Sequence, residues 1–120
     1  MSERYSYTEY RYNGILIGTS LSGASGTGFD VTPYKKLYIE ARTTAANKGK
    51  IGLVRNTGNV SGLHDEDAYS LSPGMVRSVV PLTERTVQTI DVSSLSGDYF
   101  IAALSPLGSG HLYIYNIWFE

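Results

Sequence analysis

Apolar and polar residues alternate with a period of two along several stretches of the chain, which is the pattern of β-strands that bury one face. No window keeps apolar residues at positions i, i+3, i+4 and i+7 over three helical turns, so long helices are not predicted. Clusters of Gly, Ser, Asn and Pro between the alternating stretches indicate tight turns and loops. The pattern predicts about nine short strands, at residues 5–12, 15–19, 36–43, 50–55, 68–71, 75–80, 86–92, 99–104 and 112–119.

Short strands at fairly even spacing predict an all-β fold, and an antiparallel β-sandwich is favoured over a barrel. The ten tyrosines and 13 glycines agree with this, because aromatic side chains suit a pleated surface and glycine suits tight turns. The small, polar stretch SLSGASGTG at residues 20–28 is predicted to be a loop. A length of 120 residues is enough for one domain with its own core, so a single domain is expected over residues 1–120.

One short pattern occurs twice, in residues 28–43 and again in residues 86–105. Both copies have an apolar residue, then Asp-Val-Ser/Thr, a short break, and an aromatic-rich apolar run. We interpret each copy as a capped corner at which the chain leaves one sheet and enters the other. Asp30 and Asp91 are predicted to accept backbone N–H groups there, as in Asx turns. Pro33 is predicted to begin one helical or 3₁₀ turn over residues 33–36, and Gly97 to end a second turn in a left-handed conformation.

The last predicted strand is apolar on both faces, which is unusual for a strand at the surface of a sandwich. Strict alternation places Trp118 in the core, on the face of Leu112 and Ile114. The opposite face then meets another copy, a larger particle, or the tyrosine-rich first strand of the same sandwich. The candidate interface residues are Tyr5, Tyr7, Tyr113, Tyr115 and Phe119.

Charge and termini exclude several classes of partner. The chain has 10 Lys and Arg against 11 Asp and Glu, a net charge of -1, so it lacks the basic surface typical of nucleic-acid binding. Membrane insertion is not predicted either, because the longest apolar run, LYIYNIWF, is far shorter than the ~20 residues of a spanning helix. The charged N-terminal segment MSERYSYTEYRY does not resemble a secretory signal peptide. Without cysteine the chain forms no disulfide.

The sequence contains little that resembles a catalytic site. It has no G-x-S-x-G nucleophile motif and no cysteine nucleophile, although paired carboxylates, recognised only by their separation in space, stay open. The one dense polar cluster is His64-Asp65-Glu66-Asp67. Its carboxylates suit Ca²⁺, but its spacing is not that of a calcium loop, so a solvated loop without metal is preferred. We expect a protein that is not an enzyme.

A lectin-like site is the main chemical alternative. Sugar rings stack on aromatic side chains, while amides, carboxylates and arginine hold the hydroxyl groups. The candidate glycan-binding residues are Tyr34, Asn56, Asn59, His64, Asp67 and Tyr69.

The stretch DVSSLSG with the strand after it, and the final strand LYIYNIWFE, resemble jelly-roll modules of bacteriophage and prophage tail and receptor-binding proteins. Asp91–Ala103 and Leu112–Glu120 carry this resemblance, with weaker support from Asp30–Ala41. Modules of this kind are in turn similar to galactose-binding-type carbohydrate-binding modules. The matching motifs are corners and core strands, so they concern the fold more than the function.

The resemblance implies a jelly-roll-like sandwich and a structural accessory protein of a tail, baseplate or capsid. It also implies a location in the virion after synthesis in the bacterial cytoplasm, contacts with other virion proteins, a homo-oligomer, and an auxiliary task in adhesion to host-surface glycans. Because the chain starts at Met1 and ends on its last predicted strand, we expect a free-standing small protein and not one domain of a long fibre.

Overall fold

The computed structural model describes residues 14–18, 20–22, 25–45, 49–56, 75–104 and 110–120, and these residues contain strands, turns and no helix. The all-β prediction is therefore confirmed, and no described helix could cross a membrane. The predicted strands at 5–12 and 68–71 both lie outside the described residues. The strands are β1 (Gly14–Ile17), β2 (Ser20–Ser22), β3 (Ser25–Thr27), β4 (Phe29–Asp30), β5 (Lys36–Thr43), β6 (Lys50–Arg55), β7 (Met75–Val79), β8 (Thr86–Asp91), β9 (Asp98–Leu104) and β10 (Leu112–Phe119).

These strands form two antiparallel sheets in the arrangement of a β-sandwich. The larger sheet has the order β1-β9-β6-β7, with the two-residue strand β4 also paired to β9, and the smaller sheet has the order β10-β5-β8. The two sheets thus contain seven longer described strands, four and three, instead of the nine predicted. The prediction of a loop at residues 20–28 is also wrong, because β2 and β3 pair there as a small hairpin. Its Ser and Gly residues carry no apolar alternation that could have revealed it.

The core lies between the two sheets and is built by the inward faces of their strands. Strand β5 shows the simplest pattern, since Leu37, Ile39 and Ala41 are buried and the residues between them point outward. Strand β9 is buried on both faces, as a central strand of a covered sheet is. The buried cluster comprises Ile17, Phe29, Val31, Leu37, Ile39, Ala41, Ile51, Leu53, Ile90, Val92, Tyr99, Ile101, Ala103, Leu112, Ile114, Ile117 and Phe119.

The repeated sequence pattern forms two corners that connect the sheets in opposite directions. Corner 1, residues 31–35, leads from β4 of the larger sheet to β5 of the smaller one, and corner 2, residues 92–97, leads from β8 back to β9. Each entering strand pairs with the strand that leaves the other corner: Phe29 lies opposite Tyr99, and Ile90 lies opposite Leu37. The pattern therefore occurs twice because the two corners are antiparallel neighbours that complete each other.

Hydrogen bonds join the two corners directly. The Val31 N–H donates to the Gly97 carbonyl at 3.0 Å, and the Val92 N–H donates to the Lys35 carbonyl at 2.9 Å. The Gly97 N–H donates to the Thr32 hydroxyl at 2.9 Å. Val31 and Val92 are completely buried, so these bonds satisfy main-chain donors that water cannot reach.

Within each corner the aspartate accepts the hydrogen bonds expected of an Asx turn. Asp30 Oδ1 accepts the Thr32 N–H at 3.0 Å. Asp91 Oδ1 accepts the Ser93 N–H at 2.8 Å and the Ser93 hydroxyl at 2.6 Å. Gly97 has a φ of 96°, in the left-handed region that favours glycine.

The predicted short helical turns are absent from both corners. A single hydrogen bond closes a four-residue turn in each, from the Tyr34 N–H to the Val31 carbonyl and from the Leu95 N–H to the Val92 carbonyl, both at 2.9 Å. Pro33 is the third residue of the first turn and does not begin a helix. Main-chain donors that follow each turn bond outside it and so do not extend it into a helix: the Lys35 N–H donates to the Glu120 carbonyl at 2.8 Å, and the Gly97 N–H donates to the Thr32 hydroxyl at 2.9 Å.

Strand β10 contains a β-bulge that changes which side chains face the core. Ile114 lies opposite Ala41 and Asn116 lies opposite Glu40, so Tyr115 is an extra residue without a partner in β5. Beyond the bulge, Ile117 and Phe119 are buried with Leu112 and Ile114, while Trp118 faces outward. The predictions that Trp118 is in the core and that Phe119 is on the outer face are therefore wrong. Strict alternation cannot anticipate an inserted residue.

The bulge makes a deletion test possible. Removing Tyr115 leaves LYINIWF, a regular strand with the same four core residues, whereas removing Ile114 places Tyr115 at a core position opposite Ala41. We expect deletion of Tyr115 to cost about 1 kcal/mol or less, chiefly through its lost contacts. Deletion of Ile114 should cost about 2–5 kcal/mol, because a buried aliphatic side chain is lost. Urea unfolding measures both values, and equal losses would contradict the bulge at Tyr115.

Hydrogen bonding lowers the pKa of both corner aspartates from the ordinary value of 3.8. The Thr32 side chain and then its backbone N–H lower the pKa of Asp30. The Ser93 hydroxyl and then its backbone N–H lower the pKa of Asp91, and the charges of Arg77 and Lys36 contribute. A pKa lowered on folding means that the ionised carboxylate stabilises the fold above the ordinary value, and that this contribution disappears as the pH falls through the folded-state pKa.

We therefore expect the variant Asp30→Asn/Asp91→Asn to be less stable than the native chain at pH 7, although asparagine can still accept the turn hydrogen bond. The difference should decrease as the pH falls below the ordinary aspartate pKa of 3.8, and disappear once the pH lies below the lowered folded-state pKa. Urea midpoints between pH 7 and pH 2 provide the measurement. Glu84→Gln is the control, because the Glu84 side chain makes no hydrogen bond or ion pair among the described residues. A difference that is constant with pH would contradict the prediction.

Candidate binding face of the smaller sheet

The outer face of the smaller sheet groups aromatic and charged side chains from β5, from β10 and from the residue before β8. Strand β5 turns Tyr38, Glu40 and Arg42 outward because the alternate residues fill the core. The register of β10 places Trp118 opposite Tyr38, Asn116 opposite Glu40 and Tyr113 opposite Arg42. Arg85, just before β8, reaches the same face. We define the aromatic sheet face as Tyr38, Glu40, Arg42, Arg85, Tyr113, Tyr115, Asn116 and Trp118.

An aromatic pair occupies one end of this face. The rings of Tyr38 and Trp118 are stacked, with centroids 5.1 Å apart and an interplanar angle of 11°. Aromatic pairs in this offset arrangement attract each other beyond the effect of burial alone. Both side chains are half-buried, so each keeps part of its ring surface in contact with solvent.

A charged network occupies the middle of the face. The Arg85 guanidinium lies 3.9 Å above the Tyr115 ring, and its Nε donates to Glu40 Oε2 at 2.8 Å. The second oxygen of Glu40 accepts the Asn116 side-chain amide at 2.7 Å. The Arg85 side chain is 54% exposed, so the ion pair stabilises the fold by less than about 1 kcal/mol. Its main effect is to hold the positions of the side chains.

A second guanidinium occupies the other end of the face. Arg42 lies 4.9 Å above the ring of Tyr113, and its Nε donates to the Thr83 carbonyl in a long hydrogen bond of 3.4 Å. The rings of His111 and Tyr113 meet edge to face, with centroids 6.3 Å apart and an interplanar angle of 76°. Cation–π contacts therefore hold both arginines of the face against tyrosine rings.

This arrangement provides several kinds of group that can contact a ligand. It presents aromatic surface, two guanidinium groups, a carboxylate and an amide over one side of a rigid sheet. In the part of the chain that the structure describes, no three His, Asp or Glu side chains are grouped so that they could hold a metal ion. The acidic cluster at residues 64–67 lies outside that part, so calcium there stays an untested alternative.

The structure does not bring the described glycan-binding candidates onto this face. The Tyr34 ring is half-buried and stacks on Phe119, with centroids 5.3 Å apart. The Asn56 amide donates to Asp98 Oδ2 at 2.7 Å, and Asp98 also accepts the Gly28 N–H at 2.8 Å. These two residues therefore have structural contacts elsewhere in the sandwich. The other candidates, Asn59, His64, Asp67 and Tyr69, lie outside the described residues.

Of the interface candidates, Tyr113 and Tyr115 lie on the aromatic sheet face, Phe119 is in the core, and Tyr5 and Tyr7 lie outside the described residues. Sequence reasoning missed the other members of the face. Tyr38, Glu40 and Arg42 could have been found, because they occupy the outward phase of a strand whose inward phase is Leu37, Ile39 and Ala41. Trp118 could not, because the bulge reverses its phase.

Comparisons of the chain with protein-family models, with curated proteins and with solved structures found no match. The functional interpretation therefore depends on the residues of this chain and on the geometry described above.

Proposed function

We propose that this chain is a non-enzymatic accessory protein of a bacteriophage or prophage particle, and that it attaches the particle to carbohydrate through the aromatic sheet face. The observation that carries the binding role is the grouping of two tyrosine-supported arginines, a carboxylate, an amide and a stacked aromatic pair on one side of one sheet. Aromatic rings offer flat surfaces to the C–H faces of a sugar, and the polar groups can hold its hydroxyl groups.

The particle context is a separate part of the proposal and rests on the resemblance of residues 91–103 and 112–120 to jelly-roll modules of phage tail and receptor-binding proteins. In this proposal the sandwich has jelly-roll connectivity and the protein is a component of the virion, bound to other virion proteins. It neither binds nucleic acid nor inserts into a membrane, and it requires no cofactor.

The binding role is tested first on a glycan array that contains neutral, carboxylate-bearing and phosphate-bearing glycans. We expect retention of at least one glycan class by the native protein. A titration in solution would then follow the fluorescence of Trp118, the single tryptophan of the chain, which lies on the proposed face. Tyr113→Ala should weaken binding at least about tenfold, the effect of losing one stacking contact and the support of Arg42.

Tyr34→Ala is the matched control, because it removes the same side chain from a half-buried site off the aromatic sheet face. Both variants must first give cooperative urea unfolding, so that lost binding is not confused with lost folding. Absence of binding to every glycan on the array would contradict the proposal. Loss of binding in Tyr34→Ala, with normal binding in Tyr113→Ala, would move the site to corner 1.

A second candidate function is a purely structural one, in which the same face packs against another copy of the chain. The exposed Val87, at 46% relative exposure and opposite Glu40 on this face, favours it, as does Leu82 at 49%. The mass in solution tests this candidate: light scattering should give a closed oligomer at micromolar concentration, dissociated by Val87→Asp. The same measurement with a chelator examines the calcium alternative. A monomer would contradict the self-association.

A further inference from the structure

One arginine of the aromatic sheet face, Arg85, already binds a carboxylate of the same chain. Arg85 is held over the Tyr115 ring at 3.9 Å, and the carboxylate of Glu40 meets its guanidinium at 2.8 Å. The cation thus contacts the ring while its Nε–H donates to the carboxylate. Arginine and carboxylate groups match in geometry because both are planar and can share two parallel hydrogen bonds.

Arg42 has the same kind of contact with a tyrosine ring, but no carboxylate partner among the described residues. Its guanidinium lies 4.9 Å over the Tyr113 ring, and its single hydrogen bond within the described residues is the 3.4 Å contact of Nε with a backbone carbonyl, that of Thr83. No carboxylate of the described residues lies within ion-pairing distance of it. The two terminal nitrogen atoms of Arg42 therefore hold donors that neither the ring nor the carbonyl uses.

The net charge of the aromatic sheet face, counted over its defined members, is positive, as expected of a face that binds the carboxylate of a ligand. Among its members, Glu40 neutralises Arg85, and Arg42 leaves the face with one positive charge. The Arg42 side chain is half-buried against Tyr113 and lies beside Thr83, so little conformational freedom remains to be lost when a ligand binds. A partly desolvated guanidinium already held in position is suited to a charge-assisted hydrogen bond.

We propose that Arg42 binds the carboxylate of an acidic sugar, so that the glycan recognised by the aromatic sheet face carries a negative charge. The inference rests on the proposed function, because it names the ligand class of the same site. The sugar carboxylate takes the place at Arg42 that Glu40 takes at Arg85. The neighbouring aromatic and amide groups of the face then contact the neutral part of the sugar.

The test compares one acidic glycan with its own neutral form. The carboxylate-bearing glycan retained most strongly on the array is titrated by calorimetry, together with its methyl ester, which keeps the sugar and removes the charge. We expect the ester to bind at least about tenfold more weakly, the scale of one lost charge-assisted hydrogen bond. Arg42→Gln should weaken binding of the acid to a similar degree and weaken binding of the ester much less, because the ester lacks the charge that Arg42 pairs with.

Two further variants separate geometry from net charge. Arg42→Lys keeps the charge but not the planar fork, so an intermediate loss is expected. Lys35→Gln removes the same charge from the residue before β5, roughly 20 Å from Arg42 along the strand, and should bind normally. Normal binding by Arg42→Gln, or equal binding of acid and ester, would overturn the inference.

The array also separates failure of this inference from failure of the proposed function. Retention of neutral glycans alone, or of phosphate-bearing glycans alone, would overturn the role of a sugar carboxylate while leaving carbohydrate binding in place. Retention of no glycan would overturn both. Retention of acidic glycans that depends on Arg42 would support both.

Discussion

The structure depends on one constraint, which is that main-chain groups buried between the sheets must find hydrogen-bond partners while the chain crosses from one sheet to the other. Val31 and Val92 stand at these crossings, and both are completely buried. An unpaired N–H at either place would cost free energy comparable to a lost hydrogen bond. The two crossings solve this together, because the Val31 N–H bonds to the Gly97 carbonyl and the Val92 N–H bonds to the Lys35 carbonyl. Neither corner is complete without the other.

This exchange also determines the register of the two central strands. Corner 1 leads into β5, the middle strand of the smaller sheet, and corner 2 leads into β9, which pairs with β1, β4 and β6 in the larger sheet. A shift of one residue in a strand would move all of its side chains to the other face. Leu37 is held opposite Ile90 at the corner, and this pairing determines that every second residue of β5 after Leu37 faces the core. The outward positions, Tyr38 and Arg42 among them, are set by the same contact.

The aromatic sheet face is therefore a consequence of core packing and not an addition to it. Its tyrosine rings lie on the solvent side of strands whose other side is fully buried, so their positions are as firm as the core itself. Arginines held against such rings lose less freedom on binding than arginines on a loop would. This is the physical basis for the proposal that the face binds a ligand. In this proposal Arg42 has the main role, because it lacks a carboxylate partner among the described residues.

The sequence by itself determined the features that depend on neighbouring residues. Alternation located β5, β6 and β9, and the Asp-Val-Ser/Thr pattern located both corners with the hydrogen bonds of Asp30 and Asp91, because these interactions span only a few residues. It also indicated that Tyr113 and Tyr115 point outward. Its glycan-binding candidates stay predictions, and the two that are described, Tyr34 and Asn56, lie off the aromatic sheet face.

Only the tertiary structure decided the rest. The bulge at Tyr115 results from the register that β10 adopts against β5, and it exposes Trp118 and buries Phe119 against the local pattern. The pairing of the two corners joins residues that are about 60 positions apart, as Val31 and Gly97 show. Whether an arginine meets a carboxylate also depends on distance in space. The local sequence does not distinguish Arg42 from Arg85, but in the folded chain Arg85 pairs with Glu40 and Arg42 bonds to the Thr83 carbonyl.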